Sequence, residues 1–313
     1  MVPRGLSPAI RSWQALQPRW RYAFHDDESN MKLVAQRYPQ LLPLFRQMTG
    51  IQKADVSRYL YMHAFGGVYA DLDMQLLRPL SPLLRRMHQD RNISVIIGQE
   101  PLAHAVLLEG KPRQTCNAIL ASAPGHPFWL DVVRRVARRR GGEDPVGSTG
   151  PRMLERAVSA WHAHHGGAAG VMVADPDVFF PTWDPMQEGT FRTRCASTGR
   201  WMGVPHRPGA AQATLAELRL RACARLRSEG FRPVIPKSRA FTNHLWTHTW
   251  INGASKVDMR DVYRLEVPAA PRVLQRRLQE QHSGSVTVSA EPHDSQRRIR
   301  NVSATVPNAQ SLQ

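Results

Sequence analysis

Between Ala54 and Phe65 the chain has neither Gly nor Pro, and Val56, Tyr59, Leu60 and His63 recur at helical spacing. This predicts a helix over 54–65, with Asp55 in its first turn, where the positive end of the helix favours a carboxylate. Asp55 and Arg58 lie three apart and share a face. Gly66 and Gly67 end the helix. The pattern then alternates. Val68, Ala70, Leu72 and Met74 fall on one side, and Tyr69, Asp71 and Asp73 on the other, which predicts a strand over 68–74 with an apolar face and an acidic one. Elsewhere the pattern predicts helices over 10–17, 30–37, 39–49, 80–88, 128–140, 152–162 and 215–229, and strands over 20–25, 92–98, 171–174 and 178–181. Asp27 or Ser29 can cap the helix at 30–37. Ser148-Thr149 ahead of Pro151 reads as a helix start, and 184–212 as loop.

The 42% hydrophobic content is enough for a full core in a chain of 313 residues. No run of 18 apolar residues marks a transmembrane helix, and no apolar segment follows Met1 as in a signal peptide. The three cysteines, Cys116, Cys195 and Cys223, are far apart and lack metal spacing, so buried thiols are expected. From about residue 268 periodicity fades, and the basic, polar tail at 269–313 is expected to be disordered. Of two glycosylation sequons, Asn92 lies in a predicted buried strand, leaving Asn301 as the usable one.

The net charge of +17 permits anionic partners. Much of it is arginine on predicted helices, as at Arg134, Arg135, Arg138, Arg139 and Arg140, where solvated faces account for it. These runs lack the interleaved aromatics of a single-strand groove, and no nucleic-acid partner is expected.

Asp71 and Asp73 carry the candidate chemistry. Two carboxylates one residue apart suit a hard divalent cation, Mg²⁺ or Mn²⁺, which takes oxygen ligands and leaves positions for substrate phosphates. A bare Asp-x-Asp is most often a solvated loop pair. Here it ends an apolar strand, after a Gly-Gly turn and a helix bearing Asp55 and Arg58.

These residues resemble a family. The Asp55, Arg58, Gly66-Gly67, Tyr69, Asp71-Leu72-Asp73 pattern is similar to the sugar-binding Asp-x-Asp (DXD) region of GT-A glycosyltransferases, in the family of the fungal initiating α-1,6-mannosyltransferase and the inositol-phosphoceramide mannosyltransferases. The glucosylating clostridial toxins share the pattern. Ser12-Trp13 with Pro18, Trp20, Tyr22 and Asp26-Asp27, then His126-Pro127-Phe128, Ser148-Thr149-Gly150-Pro151 and the segment His244–Trp250, follow in the family's order. The resemblance covers roughly 10–252. It implies a GT-A, Rossmann-like α/β fold, a mixed sheet flanked by helices, over 10–268 after an extension at 1–9; the family's usual first strand has no counterpart here. It also implies transfer of a hexose from a nucleotide diphosphate sugar, GDP-mannose, to a glycan or lipid hydroxyl, with retention, in the Golgi or another endomembrane lumen, with association at a membrane surface. Asp71 and Asp73 would hold the metal and act at the reaction centre, joined by His244. Asp55, Arg58, Tyr69 and Asn117 would bind the donor. His248 is a weaker ligand candidate, and a zinc pair with His244 is ranked below the Mn²⁺ role. Two other readings stand beside this one: a catalytically impaired scaffold, and a basic nucleic-acid-binding protein.

Overall fold

The computed structural model describes residues 2–91, 93–138, 144–166, 169–197, 213–236, 239–249, 257–259 and 261–263. The chain divides into two units, Met1–Val267 and Pro268–Gln313. The described residues all belong to the first unit; the tail, Asn92, Asn301, Arg139 and Arg140 lie outside them.

In chain order the strands are β1 (Val2–Pro3), β2 (Gly67–Ala70), β3 (Met74–Leu76), β4 (Val95–Gln99), β5 (Thr115–Ser122), β6 (Val171–Ala174), β7 (Thr242–His244) and β8 (Val262–Tyr263). The α-helices are α1 (Ser7–Leu16), α2 (Asp27–Arg37), α3 (Leu42–Gln47), α4 (Gly50–Phe65), α5 (Ser81–Arg91), α6 (Pro127–Arg138), α7 (Pro145–Ser148), α8 (Pro151–His165), α9 (Pro176–Phe179), α10 (Glu188–Ala196) and α11 (Leu215–Ser228). The central sheet runs β2-β5-β4-β6. β5 is antiparallel to both β2 and β4, while β4 and β6 are parallel, so the sheet is mixed. Two-stranded pairs β3-β7 and β1-β8 complete the strands.

Alternation along the central strands divides the core between the two faces of the sheet. Val95, Ile97 and Leu120 point to one side, where α2, α4, α6 and α8 bring Leu33, Tyr59, Trp129 and Leu154. Ile96, Ile119 and Ala121 point to the other, meeting Trp13 of α1, Leu76 of β3 and Phe179 of α9. This is the expected mixed sheet flanked by helices, in keeping with a GT-A fold. A third cluster joins the turn His104–Leu108, Trp183, α10 and α11.

Several local expectations change. Helix α4 starts earlier, because Thr49 and Gln52 form a reciprocal capping box. Asp55 therefore lies beyond the first turn, away from the favourable dipole end. At the other end Gly66 has φ 64°, and a Cβ there would stand 2.6 Å from the Pro124 nitrogen, so only Gly fits. The strand expected over 68–74 is two strands in different sheets, β2 and β3, parted by a turn at Leu72-Asp73. Residues 20–25 are not a strand: Trp20 and Tyr22 face the core, but the segment pairs with no strand among the described residues. Asp26, not Asp27, caps α2, with Ser29 reaching back to it. Part of 178–181 is the end of α9, and α10 occupies part of the expected loop.

The cysteines also depart from expectation. Cys195 of α10 and Cys223 of α11 form a disulfide, while Cys116 is free and buried. An odd count conceals a bridge when the third thiol sits in the core.

Candidate active site

The site is built where β2 ends and β3 begins. The Asp71 N–H still donates to Ala118 O of β5, at 2.8 Å, so the sheet ladder carries the first carboxylate. The chain then turns, with Met74 N–H on Asp71 O, and Asp73 enters a different neighbourhood.

Asp71 meets helix α4. Arg58 Nη1 donates to its two oxygens at 3.0 and 3.3 Å, and the Tyr69 hydroxyl donates to Oδ1 at 2.5 Å. The guanidinium lies over the Tyr69 ring, 4.9 Å from its centroid. Behind it Arg58 pairs with Asp55 at 3.3 Å and donates to Asn117 O at 2.9 Å. Asp55 takes further hydrogen bonds from Asn117 Nδ2 and Thr149 Oγ1, both 2.8 Å. The Tyr59 hydroxyl accepts from Asn117 and donates to Thr149 O. Asp55 is 4% exposed and Arg58 5%, so the cluster is nearly enclosed.

Enclosure sets the electrostatics. Burial pushes Asp55 up against the pull of Arg58, Thr149 and Asn117. Burial disfavours the Arg58 charge too, but Asp71, Tyr69 and Asp55 outweigh it and raise the guanidinium further. Burial raises Tyr69, which keeps its phenol a donor to Asp71.

Asp73 meets β7. The β3-β7 register sets Met74 opposite His244, and His244 Nε2 lies 3.2 Å from Asp73 Oδ1. Thr247 donates to Oδ2 from its N–H at 3.1 Å and its hydroxyl at 2.8 Å, and Leu245 N–H donates to Asp73 O. Burial opposes ionisation of Asp73, but His244 and Thr247 outweigh it and hold its pKa below the ordinary carboxylate value. The Trp246 ring lies 4.1 Å from that of His244, whose Nδ1 is buried with no hydrogen-bond partner among the described residues.

The candidate residues thus fall into two groups on either side of one turn: Asp55, Arg58, Tyr69, Asp71 and Asn117, and Asp73 with His244. His248 belongs to neither. It contacts Asp184 at 3.0 Å, and it lies in the loop after β7, which His244 ends, so the two imidazoles do not share a helix face. Thr149 and Thr247 complete the groups and were not expected. Thr149 reads in the sequence as a helix start, yet α8 is capped at Gly150 without any side chain. Thr247 has no local signal; only the β3-β7 register brings it to Asp73.

Among the described residues no cluster of three or more His, Cys, Asp or Glu forms a protein metal cage. Asp73 Oδ1 and His244 Nε2 nevertheless stand 3.2 Å apart. Adjacent corners of an octahedron with bonds of about 2.1 Å lie about 3 Å apart. The pair fits two corners of a divalent cation whose remaining ligands come from substrate and water. Ligation through Nε2 places the ring proton on the partnerless Nδ1.

Comparison with known proteins agrees with this geometry. The family described as the glycosyltransferase sugar-binding region containing the DXD motif matches residues 3–91. The inositol phosphoceramide mannosyltransferase 3 of Schizosaccharomyces pombe is 31% identical over 166 residues, 51% of this chain and 42% of that protein. A mannosyl phosphorylinositol ceramide synthase of Saccharomyces cerevisiae is 31% identical over 145 residues, 44% of this chain and 34% of that protein. The initiation-specific alpha-1,6-mannosyltransferase of S. pombe is 28% identical over 168 residues, 47% of this chain and 42% of that protein. The chain spans less than half the length of these curated relatives. Among solved structures, the PaToxG glycosyltransferase superposes with TM-score 0.37 and 12% identity over 72% of this chain and 82% of that one. Residues 3–91, with Asp71-Leu72-Asp73 at the turn, are similar to the family of glycosyltransferase sugar-binding regions that contain the DXD motif.

Proposed function

We propose that residues 10–268 form the catalytic domain of a metal-dependent, retaining glycosyltransferase that moves mannose from GDP-mannose to a hydroxyl of a glycan or lipid. Two of these relatives are named mannosyltransferases, one of them of inositol phosphoceramide, and the third a mannosyl phosphorylinositol ceramide synthase, which supports the hexose and the lipid class. The observation that carries the reading is the turn that sends Asp71 to a buried arginine and Asp73 to an imidazole and a threonine.

Asp73 and His244 would hold Mn²⁺ or Mg²⁺, with Asp71 beside them. When bound, the cation supplies positive charge to the departing diphosphate. Arg58 orients Asp71, and Tyr69 fixes the same carboxylate from the other side. As folded, Asp55 and Asn117 act on the donor through Arg58, which they hold in place. Thr247 holds the second oxygen of Asp73, so its first faces His244. An endomembrane lumen, with the Golgi as the specific compartment, and contact with a membrane surface complete the reading; among the described residues no helix is long and apolar enough to cross a membrane.

The test is turnover of GDP-mannose by the purified chain with Mn²⁺, with and without chelator, for wild type, Asp71→Asn and Asp73→Asn. Metal-dependent release or transfer of mannose that collapses in both variants is the expected result. Turnover near the wild-type level in both removes the metal role of the pair. No turnover of any nucleotide sugar by wild type removes the enzyme reading.

A further inference from the structure

After β7 the backbone enters the left-handed region twice, at Trp246 (φ 50°) and His248 (φ 54°). A residue with a bulky side chain adopts this conformation at an energetic cost and keeps it only where its surroundings enforce it. Trp246 is enforced by packing: its indole N–H donates to Thr182 O at 3.1 Å, and its ring lies against His244 and His104. Among the described residues His248 is held by a polar contact, Nε2 to Asp184 Oδ2 at 3.0 Å.

Asp184 is built to hold that contact. It is 3% exposed. Its Oδ1 accepts the Met186 N–H at 3.0 Å, and its own N–H donates to His104 Nε2 at 3.0 Å. His104 in turn meets Glu100 through Nδ1 at 3.1 Å. These contacts fix the His104 tautomer: Nε2 accepts, so Nδ1 carries the proton. The same reasoning applies to His248. In a neutral His248 ring facing a carboxylate oxygen, Nε2 carries the proton and Nδ1 a lone pair. That nitrogen has no partner among the described residues, and 14% of the side chain is exposed. The arrangement is an imidazole oriented by a buried carboxylate with its accepting nitrogen left over.

Its place in the site indicates what it would accept from. The contacts run from Arg58 to Asp71, through the turn to Asp73, from Asp73 to Thr247, and end on the next residue, His248. In the glycosyltransferase reading, on which this inference rests, the donor occupies the Arg58-to-Asp73 part of that line. In that reading the second substrate is an alcohol, and it would approach from the His248 end. We propose that His248, oriented by Asp184, is a hydroxyl-binding residue on the acceptor side, its Nδ1 taking a hydrogen bond from the acceptor's reacting or neighbouring hydroxyl. The left-handed backbone and the buried Asp184 then serve to aim one lone pair.

The experiment uses the full chain with GDP-mannose and Mn²⁺, and glycerol, myo-inositol and methyl α-mannoside as alcohol probes. Transfer to the probes and hydrolysis by water are measured in the same reaction, and GDP–Mn²⁺ binding by calorimetry. His248→Gly suits the backbone and removes the imidazole. The expected result is a fall of about tenfold in the ratio of transfer to hydrolysis, the loss of one hydrogen bond, with GDP–Mn²⁺ affinity within about twofold of wild type. His248→Asn, which tolerates the same backbone and keeps a side-chain acceptor, should recover part of the ratio and decides the matter if the Gly variant does not fold. An unchanged ratio in the folded variant overturns the proposal. So does a loss of GDP–Mn²⁺ binding as large as the loss of transfer, which puts His248 on the donor side. Donor hydrolysis by wild type without transfer to any alcohol overturns it while leaving donor chemistry intact. Absence of both donor binding and hydrolysis in wild type overturns the enzyme reading and this inference together.

Discussion

The two carboxylates of one turn live in opposite surroundings. Asp71 leans on a cluster made by regular elements: Arg58 and Asp55 from the middle of α4, Asn117 from β5, Thr149 from the end of α7. Asp73 is held by a strand end and by a loop with two left-handed residues. The first arrangement is rigid because its groups are fixed by helix and sheet before any ligand arrives. The second is fixed by the pairing of two three-residue strands and by hydrogen bonds to the carboxylate itself. Burial raises Asp55 in the first, while His244 and Thr247 overcome burial and lower Asp73 in the second. Under the proposed function, a site that grips a sugar donor firmly and still admits a cation would benefit from both kinds of support, one preorganised and one able to exchange a protein contact for an ion.

The largest expected effect breaks the second group. Asp73→Asn should lower metal-dependent turnover by about 100- to 1,000-fold, the scale of losing a preorganised electrostatic partner at a leaving group, with the fold retained by circular dichroism. Turnover within tenfold of wild type would contradict the assignment of the ion to this side.

Breaking the first group should instead cost stability. Arg58→Ala leaves Asp55 buried without its cation, and a loss of about 3–5 kcal/mol is expected in urea unfolding. A loss below about 1 kcal/mol would mean that the cluster relaxes into water and is not the rigid half. A smaller change sharpens the same point. Thr149→Val removes one hydrogen bond from Asp55, and about 1–3 kcal/mol should be lost while Mn²⁺ affinity stays unchanged.

The smallest expected effect is the response of the metal-free protein to acid. A carboxylate whose folded pKa is depressed contributes stability that is present above its unfolded value, about 3.9, and is lost as the pH falls through the folded value. Asp73 is of that kind. Asp55 is of the other: its raised pKa contributes stability present at low pH and lost as the pH rises through the folded value. Melting temperatures of Asp73→Asn should therefore fall less steeply than those of wild type below about pH 4. Parallel curves would show that Asp73 is not ionised in the folded state at the bottom of that range.

Much of the first group was legible in the sequence. The helical run before Gly66, the i, i+3 spacing of Asp55 and Arg58, and Tyr69 ahead of Asp71 are local features. The second group was legible only in part. His244 came from a resemblance, while Thr247 depends on the pairing of β3 with β7, which joins segments remote in sequence, and the role of Asp184 on its meeting with the loop after β7. The alternation over 68–74 also concealed a break. Two short strands separated by a two-residue turn keep the same period as one long strand, and only the change of neighbour at Asp73 reveals the turn. The Cys195–Cys223 bridge escaped because cysteine count and spacing say nothing of which two helices will be adjacent.

The central claim is that this turn holds a divalent cation together with the donor's diphosphate. Electron paramagnetic resonance of Mn²⁺ reads it directly, since the sharp signal of the free aqua ion disappears on binding. With GDP present at a fixed, sub-saturating concentration, addition of wild-type protein should remove the free-ion signal beyond what GDP alone removes, and Asp73→Asn should not. Equal depletion by wild type and Asp73→Asn, or none by either, would contradict the claim.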